Sequence, residues 1–168
     1  MTDIGTLGGS ASQAYDINDS GQVVGASATT NGVFRAFWYS NGSIVNLVAG
    51  AGASSNQASA AYAINNAGAI VGHSDYNGAA RFVYGGVQWF CCGSSASTAY
   101  GVNMVGQVVG QRSIGDQHEA GMWGVDGNFL PDGNFWPLRP DYSSAVAIND
   151  AGLCVIGVEI LARGGPVT

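Results

Sequence analysis

A twelve-residue stretch, Ala14-Tyr15-Asp16-Ile17-Asn18-Asp19-Ser20-Gly21-Gln22-Val23-Val24-Gly25, returns three times in this chain. A segment that returns at a regular interval restricts the fold more than any composition does. The later copies begin at Ala61, Ala99 and Ala145, and their asparagines are Asn65, Asn103 and Asn149. The steps between successive asparagines are 47, 38 and 46 residues. Within each copy, small or polar residues alternate with large apolar ones, the two-residue period of a strand with two different faces. Asn18-Asp19-Ser20-Gly21 has the chemistry of a tight turn, and Gln22-Val23-Val24-Gly25 reads as the β-branched return strand. Each copy is therefore a β-hairpin, at 14–27, 61–74, 99–112 and 145–158. The fourth copy has one more residue before its closing glycine, Gly157, which predicts a bulge near Leu153.

Between the hairpins lie further strand signals. Arg35 to Ser40 is an aromatic run, Asn41-Gly42 is a hairpin turn, and Ile44 to Val48 is its partner. Arg81 to Tyr84 with Val87 to Cys91 repeats the arrangement, and Ala120 to Val125 begins a third. Pro131 and Pro137 make the segment that follows irregular. Four strands in about 45 residues match a propeller blade. The predicted fold is all-β: a small β-propeller of four-stranded antiparallel blades, about four in number, in a single domain of 168 residues. One blade is incomplete, or is closed by the N-terminal strand Asp3 to Leu7. The other arrangement is two chains combined into one seven-bladed ring, a homodimer.

Composition excludes several functions. The net charge is −6 with five arginines and no lysine, which argues against nucleic acid and anionic membranes as partners. No apolar run reaches the ~18 residues of a membrane span. Met1-Thr2-Asp3-Ile4 lacks the regions of a signal peptide. Cys91 and Cys92 are neighbours, with Cα atoms only ~3.8 Å apart, so free thiols fit them better than a strained bridge. No cysteine–histidine pattern indicates zinc.

Leu-Gly-Gly, Ala-Tyr-x-Ile-Asn-x-x-Gly-Gln-Val-Val-Gly, Ala-Phe-Trp and Asn-Gly together resemble the HAF repeat of predicted bacterial extracellular proteins. The resemblance covers nearly the whole chain and implies an extracellular or periplasmic, repeat-built, propeller-like protein. The signature His-Ala-Phe is replaced by Arg35-Ala36-Phe37, Ala80-Arg81-Phe82 and Glu119-Ala120-Gly121, so no role passes to a signature histidine.

Candidate chemistry gathers at the connections between the second and third strands and between units, where variable segments sit on a rigid scaffold. His118 and Glu119 with His73 are the candidate catalytic groups, since a histidine near neutral pH serves as a general base and a carboxylate orients it. Asp116, Asp75 and Asp132 are the candidate ligands of a calcium ion. Solvated loops and plain turns are the structural alternatives for these residues. By analogy with propeller lactone hydrolases, they predict a calcium-dependent hydrolase of lactones or esters. The alternative is a glycan- or protein-binding module without catalysis, presenting the aromatics of the third strands.

Overall fold

The computed structural model describes residues 3–50, 54–83, 86–90, 97–114, 117–124, 127, 129–130 and 143–158. The chain is all-β, with no helix among the described residues. Strands β1 (Gly8–Ile17), β2 (Val23–Thr29), β3 (Phe34–Ser40) and β4 (Ser43–Asn46) form the first antiparallel sheet, in sequence order. The second is β5 (Ser59–Ile64), β6 (Ile70–Ser74), β7 (Gly78–Val83) and β8 (Gly86–Trp89). The third is β9 (Thr98–Val102), β10 (Val108–Ile114), β11 (Gln117–Trp123) and β12 (Phe129–Leu130). The fourth is a pair, β13 (Ser143–Ile148) and β14 (Cys154–Val158).

The repeated asparagine closes each first hairpin. The Gly21 N–H donates to the Asn18 carbonyl at 2.9 Å, and the Asn18 N–H donates to the Gln22 carbonyl at 3.1 Å. This is a three-residue loop ending in a left-handed glycine. Gly21, Gly68, Gly106 and Gly152 all have φ between 73° and 83°. The Asn18 side-chain oxygen also accepts the N–H groups of Ser20 and Gln22. Asn41 and Gly42 both have positive φ, 50° and 79°, as the mirror-image hairpin turn requires.

Each hairpin slips in register just before its loop, and the first slips again between Gly8 and Ser12. Ala14 faces Gly25 and Asp16 faces Val24, so Tyr15 bulges out without a partner. Tyr62, Tyr100 and Val146 occupy the same place. The slip drives the preceding carbonyl against the opposite glycine. A Cβ on Gly25, Gly72 or Gly110 would lie about 2.0 Å from the Gln13, Ala60 or Thr98 oxygen. That contact explains why a β-branched pair is followed by glycine in these copies. The bulge predicted near Leu153 is not found. Asn149 and Leu153 close the usual loop, Ala147 faces Val155, and Ala145 faces Ile156. Ile156 thus stands where the other copies have glycine, and the extra residue lengthens the strand rather than bulging it.

The sheets pack in series. The first strand of each sheet lies on the first, second and third strands of the sheet before it: β5 on β1, β2 and β3; β9 on β5, β6 and β7; β13 on β9, β10 and β11. Three cores result. Val24, Ala36, Ala61, Ile64, Ile70 and Phe82 fill the first joint. Ala63, Val71, Ala79, Ala99, Val108 and Trp123 fill the second, and Val109, Met122 and Ala145 fill the third. Small residues on one face receive large ones from the next, as close packing demands.

Two polar contacts recur at every joint. The Ser59, Ser97 and Ser143 hydroxyls accept the N–H groups of Ala36, Ala79 and Ala120 at 3.0, 2.9 and 2.9 Å, the first two buried and the third half-buried. The Asn18, Asn65 and Asn103 carboxamides donate to the main-chain carbonyls of Asn65, Asn103 and Asn149 at 3.2, 2.7 and 3.2 Å. Each removes a backbone group from the list of buried polar atoms that lack a partner. The bulged tyrosines pack alongside with their rings tilted, Tyr15–Tyr62 centroids 5.2 Å apart and Tyr62–Tyr100 centroids 5.7 Å apart.

Two expectations change here. The N-terminal segment does not close the fourth sheet: the Leu7 N–H donates to Ser27 Oγ at 2.8 Å, and Leu7 bridges Thr29 of its own sheet. The register also aligns Gly78-Ala79-Ala80, not Ala80-Arg81-Phe82, with Arg35-Ala36-Phe37, because Ala36 pairs with Ala26 and Ala79 with His73.

Candidate functional site

The first and second sheets turn their first and third hairpin loops toward one end of the array. The opposite end carries the second hairpin loop and the connection to the next sheet. Candidate chemistry was expected in loops at this second end. The structure instead places His73 in β6 and His118 and Glu119 in β11. The reason is local: Thr30 to Val33 and Asp75 to Asn77 are tight turns, so the strands run almost to the tips.

His73 faces two acceptors. Its Nδ1 lies 2.9 Å from the Ser97 carbonyl oxygen and its Nε2 lies 3.2 Å from Asp75 Oδ1. Asp75 Oδ2 accepts the Ala58 N–H at 3.0 Å. These bonds tie the end of β6 to the chain entering β5 and β9, and they occupy both ring nitrogens. Glu119 pairs across the strands with Arg112, its Oε2 accepting from Nε and Nη2 at 3.0 and 2.8 Å. His118 sits opposite Ser113, with Nδ1 2.8 Å from Ser113 Oγ. A hydroxyl held against an imidazole is the first half of a nucleophile–base arrangement. Reading the sequence passed over Ser113; the signal was that it and His118 flank one short turn symmetrically.

Asp116 and Asp132 lie outside the described residues, as do Cys91 and Cys92. Among the described residues no three His, Cys, Asp or Glu side chains group closely enough to hold a metal ion. Asp75 is engaged by His73 and Ala58.

A polar groove of about 370 Å³ opens at this end of the first sheet. Thr29, Thr30, Asn31, Arg35, Asn46 and Val48 line it. Arg35 is only 7% exposed. Its Nη2 donates to the Ser54 carbonyl at 2.6 Å. The ion pairs among the described residues are His73–Asp75 and Arg112–Glu119, so no described carboxylate neutralises Arg35. A buried guanidinium needs more than one acceptor to offset its lost hydration. Asn46 accepts the Val48 N–H through its side-chain oxygen at 3.0 Å, which leaves its NH₂ as a further donor. The groove is thus rich in donors and short of negative charge. The sequence marked Arg35 only as a departure from the signature; its burial is set by tertiary packing.

A second hollow, also about 370 Å³, lies at the opposite end between the first two sheets, lined by Trp38, Leu47, Ile70 and Phe82. There is no helix long and apolar enough to cross a membrane among the described residues. Comparison of the chain with protein-family models, with curated proteins and with solved structures returns no match.

Proposed function

We propose that this chain is a propeller-type blade array whose work is binding, and that its ligand is a carboxylate-bearing sugar held in the Arg35 groove. The observation that carries the reading is the buried guanidinium of Arg35, without a described carboxylate partner, in a groove lined by hydroxyl and carboxamide side chains. Planar guanidinium matches carboxylate in a two-point contact, and Asn46, Thr29 and Thr30 suit sugar hydroxyls. The repeat's shared residues are spent on joining sheets. What varies is gathered at the groove end, as in other scaffolds that present binding segments. An extracellular or periplasmic setting, in keeping with the HAF-type motif, fits such a ligand.

Calorimetric titration with oligouronates and with matched neutral oligosaccharides tests this. Binding of the acidic series alone, lost in Arg35→Gln, is the expected result. Equal binding of both series, or none of either, overturns it.

A second reading is a hydrolase of lactones or esters, and the Ser113–His118 contact at 2.8 Å favours it. Ser113 Oγ would add to the carbonyl carbon while His118 takes its proton; the ester C–O bond then breaks, the departing alkoxide takes that proton from His118, and water releases the acyl group from Ser113, while Glu119 holds the neighbouring Arg112. A calcium ion held by Asp116, Asp75 and Asp132 would supply carbonyl polarisation. Proton release from a lactone panel, with and without chelator, in the native chain and in His118→Ala, decides it. Turnover that survives in His118→Ala removes this assignment.

A further inference from the structure

The three joints inside the chain are built from one set of contacts, so they define what each outer face of the array is shaped to meet. The face ahead of the first sheet carries Ser12, Ala14 and Ile17. These match Ser59, Ala61 and Ile64, which the first sheet covers, and Ser97, Ala99 and Val102, which the second covers. Ala61, Ala99 and Ala145 are fully buried, whereas Ser12 and Ala14 are exposed and Ile17 is 62% exposed.

The face behind the fourth sheet is the counterpart. Val155 stands where Val24, Val71 and Val109 are fully buried, yet it is 60% exposed. Leu153 is 71% exposed, and Ala147 is exposed where its equivalent Ala63 is buried. Asn18, Asn65 and Asn103 are buried and linked forward, while Asn149 is exposed and its side-chain NH₂ has no described acceptor. Repeat arrays that end in solvent carry polar outer faces. These faces carry alanine, isoleucine, valine and leucine.

We infer that a second copy of this chain continues the array head to tail, with its first sheet on the fourth sheet of its partner. Ala14 and Ile17 then pack on Val155 and Ala147, and the Asn149 carboxamide donates to the Asn18 carbonyl of the other copy. The contact is heterologous, since head and tail are different surfaces. It continues the internal joint rather than inventing a new one. Asp19 and Asp150 meet at this joint, where the first internal joint pairs Asp19 with Asn66; salt therefore strengthens the association by screening them.

The test is light scattering on the full chain at high micromolar concentration and moderate salt, with Ile17→Arg at the head and Val155→Arg at the tail. The native chain is expected at twice the 17.1 kDa monomer mass or a higher multiple, and each variant alone at the monomer mass. Mixing the two variants restores a dimer, because one keeps an intact tail and the other an intact head. Ala14→Arg and Leu153→Arg replace any variant whose circular dichroism shows loss of sheet. A monomeric native chain, a variant that stays dimeric, or a mixture that stays monomeric overturns the inference.

Discussion

The Asn65 side-chain amide donates to the main-chain oxygen of Asn103 at 2.7 Å, across the joint between the second and third sheets. Its oxygen meanwhile accepts the Ala69 N–H at 2.8 Å within its own turn. One residue thus shapes a hairpin and fastens it to the next. Asn65→Ala removes both bonds at a buried site and leaves an N–H without its partner. The expected cost is about 2–3 kcal/mol. Asn149→Ala, at an exposed terminal turn, costs about 1 kcal/mol or less. Urea unfolding of the two variants measures the difference, and equal midpoints contradict the linking role.

Gly72 and Gly68 need to be glycine for different reasons. A Cβ at Gly72 meets the Ala60 carbonyl oxygen at 2.0 Å, a backbone atom that cannot swing away. A Cβ at Gly68 meets nothing within 4 Å, but φ is +80°. Gly72→Ala is expected to cost about 3 kcal/mol through forced backbone displacement, and Gly68→Ala about 1 kcal/mol through the left-handed conformation. Thermal unfolding of both variants checks the order.

Tyr62 lies between Tyr15 and Tyr100. Burial pushes its phenol above the usual tyrosine value, and Tyr15, Tyr100 and Asp75 push it further in the same direction. Because the folded chain holds this proton more tightly than the unfolded chain, the stabilisation is complete below pH 10 and is lost as pH rises through the folded value. Stability is therefore expected to fall above pH 10, and less steeply in Tyr62→Phe. Chemical denaturation at pH 9, 10 and 11 measures both slopes.

Arg81 takes the strand position that Trp38 and Met122 hold in the neighbouring sheets. Its Nη2 donates to the Gly106 carbonyl at 2.7 Å, its guanidinium lies 5.9 Å from the centre of the Phe90 ring, and Nε is buried without a hydrogen-bond partner. Burial lowers its pKa. Arg81→Met removes the orphaned donor and keeps the volume, so stability is expected to hold or to rise by about 1 kcal/mol. A loss of more than that amount in urea unfolding shows that the Gly106 contact outweighs the orphan.

The hairpins were legible because their signals are local: Asn-x-x-Gly fixes the loop, and alternation fixes the strand. The bulge at Tyr15, Tyr62, Tyr100 and Val146 was not, since a slipped pair leaves the alternation of one strand unchanged. It explains the glycine after Val24 and Val71, which the sequence showed without its reason. Asn18 read as a turn residue, and its second bond is invisible within one repeat because the acceptor lies 47 residues away. The serines at 12, 59, 97 and 143 went unmarked because serine is common throughout the chain. In the candidate site, residue types were legible and partners were not. His73 proved to be held by Ser97 and Asp75, and Arg35 gained its meaning from burial that only packing supplies.

The most direct test of the repeat-to-repeat ladder is hydrogen exchange at the four repeated asparagine side chains, followed by nuclear magnetic resonance. The NH₂ groups of Asn18, Asn65 and Asn103, each donating to the next sheet, are expected to exchange slowly, and that of Asn149 at the rate of an exposed amide. Rapid exchange at all four would show that the side chains serve their own turns only, and that the sheets are not joined through them.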